Sequence, residues 1–223
     1  MIGIIASIGG FLSGAVSTVG SLICSAATAL VTKLPAILEV AKPIVSIIAN
    51  VVTAVSALLN LSSANESTEE LGAKTMQEGT RPKGETETTA EYLDYIRNDV
   101  QLDKDKFNAM TPEQKMGCSI LGSTMLAKNI EEKVGVQLSP EFLFSVGKAN
   151  IKPEIVHAMI KNFASKGEVS MTPFSQYLKS SLSDTRNAEI SNIIKDSIGQ
   201  VSSSLSPEEI NQEIVNMKRA HNS

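Results

Sequence analysis

The sequence predicts an all-α chain with an apolar N-terminal hairpin, and three observations carry that reading. Residues 2–32 and 43–65 contain no charged side chain, capping hydroxyls stand before proline at several points of the C-terminal half, and no stretch keeps the two-residue alternation of a half-buried strand. They divide the chain into an apolar helical hairpin at 1–61, membrane-inserting or buried in an assembly, a flexible acidic linker at 62–91, and a soluble all-helical domain of five to seven short helices at 92–223.

The first uncharged stretch has 31 residues and the second 23. A helix rises ~1.5 Å per residue and bilayer hydrocarbon is ~30 Å thick, so roughly 20 residues reach across and each stretch is long enough. Between them runs the segment from Lys33 to Lys42, with Pro35 and Pro43 at its edges, where a proline suits a turn or a helix start. Of the first 65 residues only Lys33, Glu39 and Lys42 are charged, which leaves +1 there and −5 on the other 158. Because Lys is retained on the cytoplasmic side, Lys33 and Lys42 are the residues that would set topology.

Inside the first stretch, Ser7, Gly14, Ser21 and Thr28 recur every seven residues, with Gly10, Ser17 and Cys24 between them. The second stretch repeats the register with Ser46, Thr53 and Asn60, and with Ala49 and Ser56. Small, weakly polar residues thus occupy both seam positions of a heptad, while Ile4, Ile8, Phe11, Leu22 and Ile23 take the other faces. A water-facing helix carries Lys and Glu on its solvent side, and there are none from Ile2 to Thr32. In lipid the arrangement inverts: large residues meet acyl chains, and small ones let backbones approach. Phe11 is the one aromatic before Tyr92, so the interfacial Trp and Tyr belt of a constitutive membrane protein is missing. The segment fits a protein kept covered by partners until it inserts.

From Ser62 to Glu91 the composition turns to Ser, Thr, Glu and Gly, with a balance of −4 between Glu66 and Glu91. So little apolar area does not offset the entropy of ordering, which predicts a linker. Beyond it, Thr111-Pro112, Ser139-Pro140, Thr172-Pro173 and Ser206-Pro207 each place a capping hydroxyl before a first-turn proline, and Lys152-Pro153 marks a fifth start. Gly135, Gly167 and Gly199 lie where helices can end.

The chemistry-bearing residues are sparse. His157 and His221 are the two histidines, Cys24 and Cys118 the two cysteines, and none has partners at metal-ligand or redox spacing. No phosphate loop, nucleophile elbow or zinc-protease motif occurs, so no catalytic residue, cofactor or metal is predicted. The net charge of −4 lacks the basic excess of a nucleic-acid binder. Gly167 to Phe174 resembles the Gly, apolar and Phe spacing of an EF-hand loop, and Gly135 to Phe142 echoes it 32 residues earlier. A calcium loop needs acidic oxygens at its first, third, fifth and twelfth positions. Those positions hold Asn162, Ala164, Lys166 and Pro173, so the segment is read as a plain helix–loop–helix turn.

In layout the chain resembles membrane-active proteins delivered by secretion machines or carried in virions. That likeness implies a non-enzymatic protein whose hairpin inserts or oligomerises in a bilayer, as a pore, translocation element or delivered effector. Its helical domain would dock a carrier or chaperone that covers the hairpin. The alternative is a structural subunit of a virion or injection machine, its N-terminal helices bundled in a protein-lined interior. The partners are then a lipid bilayer, further copies of the chain and a protein carrier, with no nucleic acid. Its location is membrane-associated or secreted, without a clear signal peptide because the first charge is Lys33.

Overall fold

The computed structural model describes residues 38–222, with side chains from Lys42 onward. Most of the hairpin therefore lies outside the described residues. Among these there are ten helices: α1 (Leu38–Leu58), α2 (Thr68–Met76), α3 (Thr89–Asn98), α4 (Lys104–Asn108), α5 (Pro112–Val134), α6 (Pro140–Lys148), α7 (Pro153–Ser165), α8 (Thr172–Leu178), α9 (Asp184–Val201) and α10 (Pro207–Asn222). The only extended pairing among them is one isolated bridge between Gln137 and Ser170. Among the described residues the all-helical reading holds. The chain divides into two compact units between Ile130 and Glu131, a boundary inside α5 that the composition does not mark.

In the first unit, α1 runs through Pro43 instead of starting at it. The missing N–H falls in the second turn, close to the end where amides have no intrahelical acceptor. Its buried stripe is Ile44, Val45, Ile48, Ala49, Val52, Val55 and Ser56. The helix stops at Leu58, and Asn60 follows with a φ of 56°.

Residues 62–91 correct the sequence reading. Far from a continuous mobile linker, they contain α2 and the start of α3, with Leu71, Gly72 and Ala73 buried. Ser67 caps α2 by accepting from Glu70 N–H, and Thr88 and Glu91 form a reciprocal capping box on α3. Close approach adds to the burial of Leu71 in stabilising α2. A Cβ on Gly72 would stand 1.9 Å from the Cys118 carbonyl oxygen, and one on Gly122 would stand 2.1 Å from that of Thr68. The α2 and α5 backbones thus cross in contact, each helix presenting a glycine to the other's carbonyl. Thr68 Oγ1 and Ser119 Oγ meet across the crossing at 3.1 Å. Arg97 of α3 ties the neighbouring loop down. Its guanidinium donates to both Glu66 carboxylate oxygens, at 2.6 and 2.8 Å, and to the Leu61 carbonyl at 3.0 Å. Lys74 Nζ in turn donates to the Ile96 and Arg97 carbonyls near the C-terminal end of α3.

In the second unit α7 and α9 form the principal pair, with Met159, Ile160 and Phe163 of one and Ile190, Ile194 and Ile198 of the other buried. The helix starts at Pro112, Pro140, Pro153 and Pro207 fall where the sequence places them. Ser139 accepts from Phe142 N–H, and Ser206 with Glu209 closes a capping box; α8 begins one residue before its proline. Gly135 and Gly167 end α5 and α7 with φ values of 75° and 79°. Gly199 does not end a helix: α9 continues to Val201 beneath Ile210 of α10. The two EF-hand-like segments are indeed helix–loop–helix turns, and their loops are coupled. Gln137 N–H donates to the Val169 carbonyl and Met171 N–H donates to that of Gln137, while Phe142 and Phe174 stack edge-to-face at 5.5 Å. From Thr89 onward the described chain holds eight helices, one of them the 23-residue α5, against the five to seven short ones predicted from residue 92. The Thr88 capping box of α3 and the Asp103 cap of α4 show why the count rises: short polar sequences without a proline suffice to start a helix.

Candidate functional site

The seam residues Ser7, Gly10, Gly14, Ser17, Ser21, Cys24 and Thr28 lie outside the described residues, as does Lys33. In α1 the structure separates the remaining seam positions. Ala49 and Ser56 are buried, Thr53 is half-buried, Ser46 is exposed, and Asn60 is exposed beyond the helix end. The buried stripe therefore joins one small-residue line to the large residues Ile48, Val52 and Val55, whereas the seam pattern alone puts those large residues on the outer faces. Ser56 Oγ is buried with no hydrogen-bond partner among the described residues.

Lys42 is exposed in the second turn of α1. Among the described residues no helix is long and apolar enough to cross a membrane. From Pro43 to Leu58 the uncharged part of α1 is 16 residues, or ~24 Å, short of the ~30 Å of hydrocarbon. The uncharged run to Asn65 counts residues that have already left the helix.

A second small-residue constellation stands in the folded body, where the sequence reading did not place one. Thr68 and Gly72 on α2 face Cys118 and Gly122 on α5, each pair four residues apart and so on one helix face. The signal was present as small residues at i and i+4, but α2 is rich in Glu and α5 in mixed polar residues, which hides it from a search for charge-free runs. At the end of this crossing three sulfur atoms converge. Cys118 Sγ lies 4.0 Å from Met76 Sδ and 3.9 Å from Met110 Sδ. Cys118 is 1% exposed, and burial, with the nearby Glu69 charge, pushes its thiol up to about 11. A fourth sulfur, Met125 Sδ, accepts from Thr75 Oγ1 at 3.4 Å.

Burial sets the two histidines apart from the other titratable groups. His157 and His221 are each held below the ordinary histidine value by burial first and by lysines second, Lys161 for one and Lys148 and Lys179 for the other. Their Nε2 and Nδ1 atoms, respectively, are buried without a hydrogen-bond partner among the described residues. Among the described residues no three of His, Cys, Asp and Glu come close enough to share a metal ion. An open groove of about 510 Å³ between α9 and α10, lined by Lys195, Gln200, Pro207 and Ile210 among others, offers no nucleophile with a base. No family model matches the chain, and the comparisons with curated proteins and with solved structures found no match.

Proposed function

We propose that this chain is a non-enzymatic membrane-active protein whose N-terminal apolar region inserts into, or oligomerises within, a lipid bilayer, while the helical domain docks a carrier or partner. The observation that carries the reading is the uncharged run from Ile2 to Thr32 with its heptad of Ser7, Gly14, Ser21 and Thr28. A helix without one charged residue in 31 leaves no face for water, and small residues at heptad spacing are what close packing in lipid requires. The rest of the chain adds support by contrast. Among the described residues the large apolar side chains left exposed are Leu58, Val169, Val201 and Val215, scattered singly as on any protein surface. Lys33 and Lys42 then keep the connecting segment on the cytoplasmic side. A protein carrier covers the region before it meets lipid, and further copies of the chain meet it through the seam.

A second reading is favoured by α1. Its buried stripe of Ile44, Val45, Ile48, Val52 and Val55 is the behaviour of a helix covered by protein, which suits a structural subunit with N-terminal helices bundled in a protein-lined interior. Vesicle flotation of the full chain, beside the variant Ile8→Lys with Ile23→Lys, separates the two. The membrane reading requires wild type to rise with vesicles and the double variant to stay below. Wild type that stays below at every lipid composition and pH removes it in favour of the structural subunit.

A further inference from the structure

We propose that Met76, Met110 and Cys118 form a binding site for one soft monovalent metal ion, with the chemistry of copper(I) or silver(I). The three sulfurs come from separate segments: Met76 is the last residue of α2, Met110 precedes the Thr111 cap of α5, and Cys118 lies in the second turn of α5. Three sulfurs around one first-row ion such as copper(I), each at ~2.3 Å, the length of a zinc–thiolate bond, stand ~4.0 Å apart in a trigonal plane. The separations from Cys118 Sγ are 4.0 and 3.9 Å, so the two edges that meet at the thiol already have the span that such an ion needs.

The donor set chooses the class of ion. Two neutral thioethers and one thiol suit a soft ion; magnesium and calcium demand oxygens, and zinc sites are built from four ligands with imidazole or several thiolates. On binding, the Cys118 S–H bond breaks, its proton leaves to solvent, and the sulfur electron pair goes to the metal, with no change in oxidation state. The thiolate and the monovalent ion sum to zero charge. Met76 and Met110 are half-buried whereas Cys118 is closed off, so the thioethers stand on the side from which an ion enters. The backing is stiff. With Gly72 against the Cys118 carbonyl, the α2 and α5 backbones pack in direct contact, which sets Met76 relative to the thiol. Met110 sits in the short segment between α4 and α5 and supplies the adjustable arm.

The test uses the full chain carrying Cys24→Ser, which leaves Cys118 as the only thiol. Copper(I) is titrated anaerobically against a copper(I) chelator, and silver(I) by calorimetry. One equivalent should bind, with X-ray absorption showing sulfur neighbours alone. Met76→Leu and Met110→Leu, which keep side-chain volume and so the fold, should each weaken binding by about tenfold or more, and Cys118→Ser should abolish it. Circular dichroism of the Leu variants confirms that they remain folded. A Cys24→Ser protein that leaves all metal with the chelator overturns the proposal. So does a Met76→Leu, Met110→Leu double variant that binds as tightly as its parent, since that marks a simple thiol adduct.

Discussion

Three glycines in helices make opposite demands on a methyl group. At Gly72 and Gly122 an added Cβ would meet a backbone carbonyl at 1.9 and 2.1 Å, and neither helix can yield without separating the crossing. Gly72→Ala and Gly122→Ala should each destabilise by about 2–3 kcal/mol, the upper part of the range for overpacking. At Gly199 the nearest atom is the Ile210 side chain at 3.7 Å, an ordinary contact, so Gly199→Ala should stabilise α9 by about 0.5–1 kcal/mol. Thermal or urea melts of the three variants check the pattern, and a uniform sign would refute the crossing. The histidines set an acid response. Because burial lowers both His157 and His221, the folded chain binds fewer protons than the unfolded one. Stability is then unaffected above the ordinary value of ~6.5 and falls as the pH drops through it. Glu87, lowered from 4.5 to about 2 by its hydrogen bonds from Arg81 and from the Gly84 N–H, acts at lower pH: what it contributes is present above 4.5 and lost toward 2. Melting temperatures of wild type and His157→Gln between pH 7.5 and 5 test the first window, and the variant should lose less. Neither the glycine contacts nor the histidine burial was legible in the sequence. The i and i+4 small residues were visible, but nothing in their spacing says which helix faces them.

At the scale of elements, the starts at Pro112, Pro140, Pro153 and Pro207 were readable because a capping residue and a first-turn proline act locally, before any tertiary contact. The missed helices were marked by the same chemistry without proline. Ser67 to Glu70 and Thr88 to Glu91 each place a hydroxyl three residues before a Glu, and both caps form. They were lost in a Glu-rich stretch whose mean apolar content predicts disorder, since averages ignore a helix held by a glycine crossing and by Arg97 on Glu66 and Leu61. Thr88→Ala should cost about 1 kcal/mol, as the loss of a helix cap does. The reverse error occurred in α1: counting uncharged residues extended the apolar helix past its end at Leu58. Asn60, in the left-handed region, marks the end that the count could not see.

For the whole molecule, the all-helical class followed from periodicity, whereas the division between Ile130 and Glu131 did not, because it falls inside a continuous helix. A fragment of residues 131–223 should fold by itself, with one cooperative thermal transition in circular dichroism; a featureless melt would mean that this unit is incomplete. The central claim concerns what covers residues 2–32, and hydrogen–deuterium exchange of the full chain with and without lipid vesicles measures it most directly. The account predicts that amides in 2–32 gain protection when vesicles are present, while those of α3 and α5 to α10 exchange at unchanged rates. Strong protection of 2–32 already in buffer, unaltered by vesicles, would contradict it and place those residues inside protein.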